Sequence, residues 1–261
     1  MDRNNKTITI TFGDQAENHV GMQKIGEMAQ SGFTYQDLEL AKSRFEQNGL
    51  ECNLINLNNY LPPENLDVEN ASVLVVRNGV NLLLRTINHN SDELFNELST
   101  LDWDTKAFMY GRVVNKHARH NLCFDHNAQE PNYQEGRGRI ISYNQVPLLN
   151  HIRNSLATYI PRSDNLVAEG NYYYDNTKAG IGFHGDSERK KVVAIRLSGN
   201  DCPPMHYQWF YQGEPVGNRV IVPLSHGDIY IMSSKAVGTD WKKKNSYTLR
   251  HATGCAKFTT I

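Results

Sequence analysis

"GIGFHGDSERKK", residues 180–191, sets a histidine and an aspartate two positions apart behind a glycine-spaced apolar run. In an extended chain, residues i and i+2 point to the same side. His184 and Asp186 would therefore present an imidazole and a carboxylate together, with Gly185 leaving room between them. A third ligand would complete a two-histidine, one-carboxylate facial triad, the donor set that leaves positions open on ferrous iron. Spacing alone favours a surface His and Asp in a loop, so the reading turns on that third ligand.

Three histidines follow the motif. His206 lies in an aromatic run, MHYQWF, and reads as a packing or substrate-facing residue. His226, in LSHGDIYIM, sits in a tight turn between two β-prone runs, where a side chain faces solvent. His251, in YTLRHATG, lies within a strand near the end of the sequence and is the better candidate.

The surrounding pattern is α+β. KTITITF (6–12) alternates isoleucine with threonine, as a half-buried strand does. Residues 33–50 carry helical spacing and stop at Asn48-Gly49. Residues 51–57 and 71–84 read as strands, joined by the loop 61–70. Helices are expected over 91–103, with Ser91 as N-cap, and over 147–160. Short strands are then expected at 166–175, 191–198, 205–212, 218–224, 228–234 and 247–261. Many short strands led by helices predict a β-sandwich or jelly roll with helical support. Residues 1–88 are expected to form a small α/β unit of their own, and residues 89–261 a second domain.

Composition narrows the function classes. At 39% hydrophobic residues the chain can build a core, and no apolar run reaches the length of a membrane span. The opening MDRNNKTITITFGD lacks a leader's apolar segment, so a soluble intracellular protein without membrane partners is expected. A formal net charge of −1 excludes a broadly basic nucleic-acid coat but not a local basic patch. Cys52, Cys123, Cys202 and Cys255 form no C-x-x-C pair, and reduced thiols are expected.

Taken together, NYYYD (171–175), GIGFHGDSE (180–188), LSHGDIYIM (224–232) and the late His251 resemble the AlkB family of iron(II), 2-oxoglutarate-dependent dioxygenases. YGRVVNKHARHNLCFD (110–125) resembles the opening of that family's catalytic domain and its nucleotide-recognition lid, and PLLNHIRNSL (147–156) the helix before its first core strand. The likeness covers roughly residues 92–261. It implies a double-stranded β-helix core and an oxidoreductase that takes Fe(2+), 2-oxoglutarate and O2. The implied reaction is oxidative demethylation or hydroxylation of a nucleobase, such as an alkylated base in nucleic acid. The same core could serve a protein side chain or a small metabolite, or survive as a non-catalytic binding module.

The resemblance also implies roles for single residues. His184, Asp186 and His251 would hold the metal. Asn171 and Tyr173, two apart on one strand face, would bind 2-oxoglutarate, with Tyr172 and Tyr174 as the alternative register. Glu188 matches an acidic position that contacts the substrate base, and Arg112 and Arg119 lie where the lid would meet nucleic acid. Phe124, Tyr133 and Tyr143 are the lid's candidates for stacking a base. Relatives carry an arginine well beyond the last histidine to grip the far carboxylate of 2-oxoglutarate, whereas residues 252–261 hold none. Two cations compete for that part. Lys257 would oppose residue 251 if Gly254 centred a hairpin. Arg250 has the family-like T-x-R context but neighbours His251 and should point away from it.

Overall fold

The computed structural model describes residues 5–63, 68–199 and 202–261. Its organising element is the first strand, β1 (Thr7–Gly13). Every residue of β1 is buried, because the strand is the middle of a sheet and not its edge. The Ile/Thr alternation separates two interiors. Ile8, Ile10 and Phe12 face a helical layer, while Thr7, Thr9 and Thr11 face a second sheet.

A small hairpin, β2 (Gln15–Glu17) and β3 (Lys24–Gly26), follows. Next come helix α1 (Tyr35–Gln47), strands β4 (Cys52–Asn56) and β5 (Ser72–Val76), and helices α2 (Gly79–Arg85) and α3 (Ser91–Ser99). Helix α1 opens on a Thr34–Asp37 capping box and closes at Asn48, as the sequence predicts. The run 71–84 is not one strand. Asn78 adopts a left-handed φ of 54° that ends β5, and the apolar stretch after it coils into α2, with Leu82, Leu83 and Leu84 buried. A continuous apolar run has no period to distinguish strand from buried helix. Helix α3 is capped by Asn90 with Glu93, not by Ser91; the box needs its acidic partner three residues on. The loop expected over 61–70 lies partly outside the described residues.

A second hairpin, β6 (Lys106–Met109) and β7 (Arg112–Asn115), precedes β8 (His120–Asp125), β9 (Ile140–Ser142) and helix α4 (Pro147–Tyr159). Strands β10 (Val167–Tyr173), β11 (Gly180–His184), β12 (Val192–Ser198), β13 (Met205–Tyr211), β14 (Glu214–Val222) and β15 (Asp228–Met232) complete most of the sheet structure. A short helix α5 (Ser234–Val237), strand β16 (Thr248–Gly254) and a last turn α6 (Ala256–Thr259) follow.

The strands form an eight-stranded sheet, β4-β5-β15-β12-β1-β10-β8-β9, and a four-stranded sheet, β11-β16-β13-β14. Helices α1 to α4 cover the outer face of the large sheet through one apolar cluster, with Phe45, Leu83, Leu98 and Ile152 packed on Ile10, Ile195 and Ile229. The other face packs Val73, Ala194 and Tyr230 against Tyr207, Trp209 and Leu249 of the small sheet. The fold is α+β, mostly sheet, in three layers.

Two expectations are corrected here. The boundary between residues 1–88 and 89–261 does not divide the structure. β1 pairs with β10 on one side and β12 on the other, and β5 pairs with β15. Residues 255–261 do not fold back as a hairpin partner of β16. Both edges of β16 are already taken, by β11 and by β13, so the chain after Gly254 turns away into α6. Among the described residues no helix is long and apolar enough to cross a membrane, and the four cysteines are free.

Candidate metal centre

His184 ends β11 and His251 lies in β16, and the two are cross-strand partners with ring centroids 4.5 Å apart. Asp186 follows two residues later, where the chain leaves the sheet. His184 Nε2 lies 3.4 Å and His251 Nε2 3.5 Å from Asp186 Oδ1. One ligand atom from each residue lies within 4.8 Å of the other two. Metal–ligand bonds of about 2 Å at right angles put donors about 3 Å apart, so this spacing closes on a single ion with little movement.

Each ligand is oriented from behind. His184 Nδ1 is 2.8 Å from the carbonyl oxygen of Gly182. As the donor to that oxygen, Nδ1 carries the proton and leaves Nε2 with a free lone pair. Asp186 Oδ2 is 3.5 Å from Arg189 Nε, and the same guanidinium reaches Glu188 Oε1 at 2.6 Å and pairs with Glu169. Burial opposes ionisation of Asp186, but Arg189 and the two imidazoles outweigh it and hold the carboxyl well below the usual carboxylate range. Burial and the neighbouring His184 push the His251 pKa down, which favours the neutral, ligating imidazole. Gly185 is required between the ligands, since a Cβ there would collide with the carbonyl oxygen of Gly238.

The three donors line a cavity of about 880 Å³ between the sheets. Asn171 and Tyr173 of β10 face into it, whereas Tyr172 packs on Trp103 in the helical core and Tyr174 donates to His117 O. Asn171 is tied down, accepting from Arg119 Nε at 2.6 Å and Asn121 Nδ2 at 2.8 Å. Arg119 and Glu188 also line the cavity. Burial and the Asp186 charge raise the Glu188 pKa.

Several expected residues are elsewhere. Arg112 is exposed on the β6–β7 hairpin and does not line the cavity. Phe124, on β8 inside the large sheet, and Tyr143, buried after β9 with Arg153 over its ring, are core residues with no face to offer a ligand. Tyr133 donates to Asp104 at 2.6 Å. Lys257 is exposed on α6 with its ammonium over Phe258, and Arg250 stacks on Phe210 and Trp241. Neither cation lines the cavity. Alternation along β16 turns Arg250 away, and the missing hairpin removes Lys257.

Sequence reasoning also missed the β2–β3 hairpin as part of the wall. Glu17, Asn18, His19 and Lys24 of the β2–β3 hairpin cover the cavity, as do Trp241 and Lys242 of the loop before β16. The hairpin is held by Asn18, which donates to Asp104 Oδ2 at 2.9 Å and accepts from Lys116 Nζ at 2.7 Å. No local motif marks the hairpin residues, which the central position of β1 brings to the site, whereas Trp241 and Lys242 belong to the basic run 235–245, whose charge is the signal that points to it. His226, read as a solvent-facing turn residue, instead accepts the Ser198 N–H at 3.1 Å.

No family model matches the sequence. Over 256 residues the chain is 53% identical to an uncharacterized protein of Acanthamoeba polyphaga mimivirus, in a match spanning 97% of each. The chain belongs to the same protein family as that mimivirus protein.

Proposed function

We propose that this protein is an AlkB-like iron(II)- and 2-oxoglutarate-dependent dioxygenase on a double-stranded β-helix core, acting on a nucleobase. The observation that carries the reading is the convergence of His184 Nε2, His251 Nε2 and Asp186 Oδ1 on one wall of a deep cavity. Two imidazoles and one carboxylate suit ferrous iron with coordination positions left open. Face-to-face packing of β11-β16-β13-β14 on the large sheet supports the jelly-roll assignment.

When bound, iron with 2-oxoglutarate and O2 would supply the oxidation of a substrate C–H bond. The residues supply placement. Gly182 O sets the tautomer of His184, and Arg189 holds Asp186 Oδ2 so that Oδ1 faces the ion. Asn171 and Tyr173 flank the cosubstrate's space, and the β2–β3 hairpin with Trp241 restricts water. If an N-methyl group is hydroxylated, collapse to formaldehyde moves a proton from the hydroxyl to the nitrogen. Glu188, with its raised pKa, would accept and return it. Lys24, Arg119 and Lys242 around the cavity supply cations that suit the phosphates flanking a target base.

The test is succinate and formaldehyde release with iron(II), 2-oxoglutarate and methylated oligonucleotides, compared between the native protein and His184→Ala. Release of both products from an oligonucleotide, lost in the variant, supports the proposal. Succinate release stimulated only by a peptide or metabolite would overturn the substrate, and failure to bind iron would overturn the enzyme.

A further inference from the structure

Arg112, expected in a lid over the cavity, stands apart on the β6–β7 hairpin. A different set of cations lies on the small sheet. Trp209 and Leu249 face the large sheet, so alternation turns Phe210 of β13 and Arg250 of β16 to the outer face of the small one. The Arg250 guanidinium carbon lies 3.9 Å from the centre of the Phe210 ring and 5.3 Å from that of Trp241. Lys242 Nζ is 5.3 Å from the same Trp241 ring. Phe183 of β11 lies 6.2 Å from Phe210, and the Arg219 guanidinium reaches from β14 to within 5.2 Å of the Phe183 ring. Cations and rings therefore alternate across the outer face of the small sheet, and the row ends at Trp241, which lines the cavity.

The protein does not neutralise this row. Among the described residues Arg219, Arg250 and Lys242 to Lys244 form no ion pair. The four strands of the small sheet hold one acidic residue, Glu214, at a hairpin tip. Asp240, in the loop before β16, is taken by Lys235 at 2.7 Å. Burial alone pushes the Arg250 pKa down, with no carboxylate to offset it. In a chain of formal net charge −1, such a concentration is a local departure. Its loop is also fixed in place: Gln212 N donates to Lys244 O at 3.1 Å and Asp186 N to Val237 O at 3.0 Å. A Cβ on Gly185 would lie 2.9 Å from that of Trp241, so the loop packs directly on the segment joining His184 to Asp186.

We propose that the outer face of the small sheet, from Arg219 through Arg250 to Lys242–Lys244, is a track for the phosphates of a single-stranded polynucleotide that leads to the cavity mouth. A row of cations asks for a row of anions, and a phosphodiester chain supplies one per nucleotide. A guanidinium laid on an aromatic ring is already oriented, so it loses little freedom when it grips a phosphate. A base inside a duplex must leave the stack to enter a deep cavity, whereas a single strand delivers one without unpairing. That the delivered base reacts rests on the function proposed above; the track itself does not.

Fluorescence anisotropy on the full chain, without metal, tests the track with a labelled single-stranded oligodeoxynucleotide. The double variant Lys243→Gln/Lys244→Gln and the single variant Arg219→Gln replace exposed side chains, so the fold survives both. Each lost cation should cost about fivefold in affinity at about 0.1 M salt and lower the slope of log affinity against log salt by about 0.7. Arg112→Gln, exposed on the β6–β7 hairpin, should bind as the native protein does. No binding by the native protein, undiminished binding by both track variants, or a loss confined to Arg112→Gln would overturn the track. Tighter binding of polyglutamate or of anionic lipid vesicles than of the oligonucleotide would overturn the partner. Product assays separate this claim from the enzyme. Track-dependent binding with no succinate or formaldehyde from any methylated oligonucleotide would sink the oxygenase reading and retain the binding surface.

Discussion

Thr9 and Arg196 are direct cross-strand partners, on β1 and β12, and both carry buried polar atoms that find no hydrogen-bond partner among the described residues. The pairing ties the first strand of the chain to the half of the fold that carries His184, Asp186 and His251. It joins the question of how the protein folds to the question of what it binds.

Residues 89–261 alone should fail to fold. Without β1, strands β10 and β12 lose their common partner and leave two unpaired edges in the centre of the large sheet. Circular dichroism and hydrogen exchange on that fragment should show no cooperative unfolding; an independently folded fragment would contradict the central place of β1.

Gly185→Ala should leave the protein folded but weaken metal binding by tenfold or more, in the range found when a ligand's support is disturbed. The added Cβ must displace either the His184–Asp186 segment or the Gly238 turn. Metal titration of the folded variant, with an unfolding midpoint that also falls, is the measurement.

Arg189→Met should destabilise the protein by about 3–5 kcal/mol, since it strands Asp186, Glu188 and Glu169 as buried carboxylates without their shared cation. Part of that loss should return below about pH 5, where the carboxyls can take up protons. Urea denaturation at two pH values measures both effects.

Lys116 gives a stability signal of opposite sense. Burial lowers its pKa to about 8, against about 10.4 in an unfolded chain. Between those values the unfolded chain holds a proton that the folded protein has released, so stability rises with pH across that window. Below about pH 8 both states are protonated and the cost of burying the charge is fully present. Denaturation at about pH 7.5 and about pH 10 should show native protein gaining stability relative to Lys116→Met; an equal pH response of the two would contradict it.

Legibility followed how local the information was. The Ile/Thr alternation of β1, the helical spacing and Asn48-Gly49 stop of α1 and the apolar spacing of α4 are visible within a few residues, and each forms an element where expected. The split of residues 71–84 was not legible, because short apolar runs such as 73–76 and 82–84 fit a strand or a buried helix alike. The hairpin at Gly254 failed for a non-local reason: β11 already occupied the edge it needed. Arg196 carried no signal at all, since an arginine inside VVAIRLS looks like the polar member of an ordinary strand.

The sequence by itself determined the α+β composition and the closeness of His184 and Asp186, because period and i, i+2 geometry are properties of a short length of backbone. Only the tertiary structure decided that β1 lies in the centre of the large sheet, that His251 meets the other two donors, and that Arg196 is buried without an ion pair among the described residues. Those are outcomes of strand pairing between segments far apart in the chain, and pairing partners are chosen by the burial and hydrogen bonding of the whole sheet.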